Sequence, residues 1–173
     1  MKHAITLGGL CLCCLAALAG TASQPTTTKP ADKLVFRNCG FAISPLDQPG
    51  KGTNQLLFML LPVSDGFAAN VGVQTQTYSG TLDEYVDLSQ KQFKEGKLDV
   101  VSTSKPDKDT AVFEYSGQMQ GKALHFYAKA ALRDGTIYLA TATAAQDHWK
   151  DVSEKLKSCV DSFQLLQRQS HPE

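Results

Sequence analysis

The stretch Thr110–Thr143, TAVFEYSGQMQGKALHFYAKAALRDGTIYLATAT, decides the fold. It breaks at two dipeptides, Gln120-Gly121 and Asp134-Gly135, that suit tight turns. Asp-Gly is among the strongest hairpin signals, because the favoured two-residue turn needs positive φ at both central positions. Between the turns, Leu124, Phe126, Ala128, Ala130 and Leu132 alternate with His125, Tyr127 and Lys129. A period of two sends these sets to opposite faces of a sheet. Ala111, Phe113 and Tyr115 share one side of the preceding strand. The last strand, Thr136–Thr143, is apolar on both faces and needs cover on both. The expectation is an antiparallel three-strand meander with helices on opposite faces.

The flanking segments extend this pattern. Upstream, Leu98–Thr103 reads as a strand. Before it, Thr81-Leu-Asp-Glu84 is a T-x-x-E capping box that opens a helix with the apolar stripe Leu82, Tyr85, Val86 and Phe93, and Gly96 offers its stop. Asn70–Thr77 alternates as a strand. Gln55–Pro62, QLLFMLLP, is a continuous apolar run whose length suits a strand buried on both faces, with a helix as the alternative that periodicity leaves open. Phe41–Ile43 is a short strand. Downstream, Trp149, Val152, Leu156, Val160 and Phe163 recur at spacings of three and four, with Lys150, Asp151, Glu154, Lys155 and Lys157 on the other face. Trp149 could anchor an interface, but its register with Val152 and Leu156 favours the core. The order predicts an α+β fold, a single antiparallel sheet of about six to seven strands flanked by two helices as an α/β/α sandwich.

The N-terminus reads as an export signal. Lys2 precedes an uncharged run, Ala4–Ala19, and small residues fit cleavage near Ala19 or Ala22. The run is short for a membrane span, which needs about 20 apolar residues, although an uncleaved anchor is the alternative. Cys11, Cys13 and Cys14 lie inside it, and none follows the small residue that a lipid-accepting cysteine needs, which leaves an atypical lipobox as the remaining alternative. The expected organisation is a signal peptide over 1–22, a tether over 23–33, one domain over 34–167 and a tail over 168–173. The expected location is periplasmic or secreted, with no membrane span after cleavage.

Composition narrows the chemistry. Seventeen basic residues balance 17 acidic ones, so nothing favours nucleic acid or anionic lipid by bulk charge. Only Cys39 and Cys159 lie beyond the signal, and a pair of cysteines in an exported chain predicts one disulfide. It would close most of the domain into one loop, worth about 4–5 kcal/mol before strain. Two unpaired thiols are the alternative. No metal site is expected, because His125 and His148 lack ligand spacing and paired cysteines cannot ligate zinc. No nucleophile elbow, Walker-A loop or G-x-G-x-x-G is present, so no cofactor and no catalytic residue is expected. The candidate ligand or partner face is His125, Tyr127 and Lys129 with Glu114 opposing them, joined by Ser116 and Gln118. It could act as an acid/base set. It could equally be the solvated face of a sheet, or lie partly beneath a helix.

The domain from about Phe41 to Phe163 resembles the PsbP-like fold, which also includes the MOG-type Ran-binding proteins and bacterial envelope proteins of the DcrB type. The matching pieces are Asn70-Val-Gly-Val73, Thr81-Leu-Asp-Glu-Tyr85, Tyr115-Ser-Gly117, the hairpin ending Tyr138-Leu-Ala140, and the C-terminal helix closing on Ser162-Phe163. The family usually has a Pro-x-x-Trp stretch after its first strand, and Ser44-Pro-Leu-Asp-Gln-Pro49 departs from that. The resemblance implies a non-enzymatic docking module. Its partner would be another envelope or secreted protein. The alternatives are a small-ligand or carrier module with a pocket beside the sheet, and an envelope hydrolase, which requires Glu114 and His125 to converge in a cleft. Fold alone does not choose among them.

Overall fold

The computed structural model describes residues 34–36, 40–43 and 53–166. The chain divides into two units, residues 1–50 and 51–173. In the first, β1 (Leu34–Phe36) and β2 (Phe41–Ile43) pair antiparallel, with Leu34 opposite Ile43. Gly40, at φ 74, supplies the left-handed residue just before β2. The strand Phe41–Ile43 is therefore present, but it forms a two-stranded ladder and is not part of the main sheet as expected. The reason is local: Leu34–Phe36, a few residues upstream in sequence, supplies its partner strand.

The second unit contains β3 (Thr53–Leu60), β4 (Asn70–Thr77), α1 (Leu82–Glu95), β5 (Asp99–Asp107), β6 (Thr110–Met119), β7 (Lys122–Arg133), β8 (Thr136–Ala145) and α2 (Trp149–Asp161). The strands form one six-stranded sheet in the order β3-β4-β8-β7-β6-β5. Every pairing is antiparallel. Both tight turns fall where the dipeptides place them. Gln120 and Gly121 lie at φ 51 and 77, Asp134 and Gly135 at φ 50 and 69. Positive φ at both central residues matches the right-handed strand twist and fixes the registers Met119↔Lys122 and Arg133↔Thr136.

The helices cover opposite faces. Leu82, Tyr85 and Val86 of α1 pack on Phe113, Ala128, Ala130, Ile137 and Leu139. Trp149, Leu156 and Val160 of α2 pack on Val71, Ala140, Ala142 and Ala144. Consecutive residues Leu139 and Ala140 thus belong to different cores, which is why β8 carries apolar residues on both faces. Alanines on β7 and β8 let the helices approach the sheet closely, and Phe113 and Ile137 fill what remains.

Thr81 caps α1 as its motif predicts: its side chain accepts from the Glu84 amide, and the Glu84 carboxylate accepts from the Thr81 amide at 2.7 Å. The helix ends at Gly96, but Gly96 keeps φ −75 and the left-handed residue is Lys97 at φ 53. Lys97 and Leu98 donate back to the carbonyls of Lys94 and Phe93 at 3.1 and 2.8 Å, a Schellman closure with lysine where glycine is usual.

One expectation fails in an informative way. The apolar run is a strand, but it lies at the sheet edge and is not buried on both faces. Leu56 to Leu60 are each between 42% and 61% exposed. The helices sit over the sheet interior: α2 contacts β8, β7 and β4, and α1 contacts β5 and β6. Neither reaches β3 with more than marginal contact. An apolar run reports that cover is wanted and says nothing about which side of the sheet receives it.

Candidate functional site

Strands β6 and β7 bring the predicted face together under α2. Glu114 stands opposite Tyr127, and His125 opposite Ser116, so Glu114 and His125 are diagonal neighbours on one face. His125 Nε2 lies 3.0 Å from Glu114 Oε1, and its Nδ1 lies 3.1 Å from the side-chain oxygen of Gln146. The imidazole stacks on the Trp149 indole at 4.1 Å between centroids and 16° between planes. The side chains of His125 and Glu114 are only 7% and 13% exposed. Lys157 of α2 closes the group, its Nζ 2.8 Å from Oε1 and 2.9 Å from Oε2 of Glu114. The same ammonium lies over the rings of Tyr127 and Trp149, at 5.2 and 5.7 Å from the centroids.

The other two predicted residues hold the far end of α2. The Tyr127 hydroxyl donates to Asp161 Oδ1 at 2.8 Å. Lys129 Nζ donates to the carbonyls of Asp161 and Phe163 at 2.9 and 2.8 Å. A cation at the carbonyl end of a helix opposes its dipole and occupies acceptors that the last turn leaves open. Glu114, Tyr127 and Lys129 therefore bear on α2 through hydrogen bonds, and His125 through its stacking on Trp149.

Electrostatics follow from this arrangement. Burial pushes the Glu114 carboxyl upward, but hydrogen bonds and charge from Lys157, with His125 beside it, outweigh burial and hold it below the usual carboxylate range. Burial raises the Tyr127 phenol, and the hydrogen bond to Asp161 with the charges of Asp161 and Glu114 adds to that, bringing it to about 12.

Glu114 and His125 converge, as the hydrolase reading requires, but they do so beneath a helix and outside both described cavities. The larger cavity is an open groove of about 670 Å³ past the C-terminal end of α2. Tyr127, Lys129, Arg133, Asp161 and Phe163 line it. Arg133 donates to the carbonyl of Leu166 at 2.6 Å, so chain leaving α2 borders the groove. Among the described residues no group of three or more His, Cys, Asp or Glu side chains could hold a metal ion, and no helix is long and apolar enough to cross a membrane.

Sequence reasoning missed Lys157, Gln146 and Asp161 as members of the network. Lys157 and Asp161 stand one turn apart on α2, and that i, i+4 spacing was the available signal. Trp149 is in the core, as its register indicates. Cys159 is a half-buried free thiol, and its expected partner Cys39 lies outside the described residues, so the pairing is not shown. The segments expected to be signal peptide, tether and tail fall outside them too.

The arrangement has recognisable relatives. PA94 from Pseudomonas aeruginosa, a protein of unknown function, superimposes with TM-score 0.51 at 13% identity over 80% of this chain and 98% of that one. Cyanobacterial PsbP from Synechocystis superimposes with TM-score 0.42 at 12% identity, over 71% and 100% of the two chains. LpqN of Mycobacterium tuberculosis, involved in cell envelope biogenesis, gives 0.40 at 12% identity, over 68% and 85%. No curated protein gives a match. The PsbP family model matches residues 67–165, which runs from the start of β4 through both helices and the whole meander. That span is more than half of the chain, and the protein belongs to the PsbP family.

Proposed function

We propose that this protein is an exported, non-catalytic member of the family that docks onto another envelope or secreted component. The observation that carries the reading is β3. Leu56, Leu57, Phe58, Met59 and Leu60 are exposed along one sheet edge, followed by Val63 at 70% exposure. Contiguous exposed apolar surface of this kind marks interaction sites. A second support is the use made of the polar residues: Glu114, His125, Tyr127 and Lys129 are engaged in holding α2. The export signal, Lys2 with Ala4–Ala19, supplies the address.

Crosslinking in the native envelope, followed by affinity capture, tests the reading. A partner is expected whose recovery falls when Phe58 is replaced by Lys. If the protein returns alone under conditions that recover known complexes, docking is wrong.

A second reading rests on the groove past α2. Its size of about 670 Å³ is in the range of small-molecule sites, and Tyr127, Lys129 and Arg133 would present polar atoms to a ligand. A carrier role predicts that a bound small molecule copurifies with the protein, visible by native mass spectrometry.

A further inference from the structure

We propose that β3 pairs antiparallel with β3 of a second copy, joining two sheets across a two-fold axis. This rests on the reading of β3 as an exposed docking edge and assigns that edge to a second copy of this chain in place of a different component. The sheet has two edges, and they differ in kind. The β5 edge carries Lys105 and Pro106, acidic residues at both ends (Asp99 and Asp107), and irregularities at Val100/Ser102 and Ser104/Asp107. Charge, proline and bulges are the devices that keep an edge from pairing. The β3 edge has one of them: a bulge between Gln55 and Leu57, where the side-chain amide of Gln55 donates to the Leu57 carbonyl at 2.7 Å. From Leu57 to Leu60 the strand is regular, uncharged and free of proline, and among the described residues only β4 pairs with it.

The occupant follows from three properties of this edge. It needs backbone partners for an extended strand, which another strand supplies. It presents apolar side chains on both faces: Leu57 and Met59 lie opposite Val73 and Val71, on the α2 side, and Phe58 and Leu60 opposite Gly72 and Asn70, on the α1 side. A matching surface must therefore be an uncharged strand that is apolar on both faces, and β3 itself meets that description. In sequence, the first charge before the strand is Lys51 and the first after it is Asp65. That pattern favours antiparallel over parallel self-pairing, which would oppose like charges. Protection at β5 prevents β3-to-β5 joining, which would grow an open filament, and leaves the closed dimer.

Sedimentation of the purified protein over a concentration series tests this. A monomer–dimer equilibrium is expected. Phe58→Lys and Leu60→Lys should each weaken it at least about tenfold, while Val101→Lys on the β5 edge, 57% exposed, should leave it unchanged. Hydrogen exchange of the wild-type protein gives a readout that needs no variant: protection of the β3 amides should rise with concentration. A monomer up to about 100 µM with concentration-independent β3 exchange overturns self-pairing. So does a dimer that survives both β3 substitutions or is lost in Val101→Lys. The docking reading fails separately: a monomer that still crosslinks to another envelope protein through Phe58 refutes the second copy and retains docking, and a monomer that crosslinks to nothing removes both.

Discussion

Glu114 and Lys157 form a two-pronged ion pair, both carboxylate oxygens within 2.9 Å of one ammonium, and it ties the middle of β6 to α2. The carboxylate is nearly buried while the lysine side chain keeps 34% of its surface. The pair is therefore asymmetric. Removing the lysine leaves a buried charge with only His125 beside it, whereas neutralising the glutamate leaves an ammonium that can reach water. Lys157→Met should cost more stability than Glu114→Gln, about 3 against about 1.5 kcal/mol. Urea unfolding of both variants checks the order, and equal losses would show that the pair is not what holds the helix.

Acid should loosen the same contact. The folded-state Glu114 value is depressed, so its contribution is fully present above the ordinary value of 4.5 and is lost as pH falls through the folded value. Wild-type stability should drop more steeply than that of Glu114→Gln below about pH 4.5. Parallel curves would remove Glu114 from the acid transition.

Tyr127 predicts the opposite limb. Its phenol is raised from 10.0 to about 12, so the folded state holds that proton more tightly. The contribution is complete below pH 10 and is lost as pH rises toward about 12. Replacing Tyr127 by Phe should flatten the alkaline decline over that interval. Spectrophotometric titration at the phenolate band should lose one late tyrosine in the variant, while Tyr78, which burial and the charges of Glu84 and Asp87 also raise, still titrates late.

Lys97 marks a site where stability can be gained. It holds φ 53 at the position after the α1 cap, where a side chain costs about 1 kcal/mol and glycine costs nothing in sterics. Lys97→Gly should raise stability by about 0.5–1 kcal/mol. A melting temperature unchanged or lowered would contradict the Schellman reading.

The expected pairing of Cys39 with Cys159 is open to direct measurement. If the protein carries that bond, alkylation before reduction should label neither thiol, and alkylation after reduction should label both, with a matching mass increase. Two labels in the unreduced, denatured protein would show that Cys159 stays the free thiol seen in the fold.

Local chemistry was enough for much of this architecture. Asp134-Gly135 and Gln120-Gly121 could be read as turns because few residues accept positive φ in succession. The Thr81–Glu84 box and the Trp149–Val160 stripe could be read as helices because capping and a 3.6-residue period are short-range properties. The alternation through Leu124–Leu132 even separated the two cores and placed His125, Tyr127 and Lys129 on a shared face.

Tertiary structure alone decided what those residues do. Whether Glu114 and His125 face water or a helix depends on where α2 lands, and Lys157, read as part of a solvated face, is what closes over them. The same holds for QLLFMLL: its apolar character is written in the sequence, but its place at an open edge comes from a strand order set by long-range pairing. Periodicity describes the surface a segment offers, and the partner that covers it, or leaves it bare, is fixed only when the whole sheet is assembled.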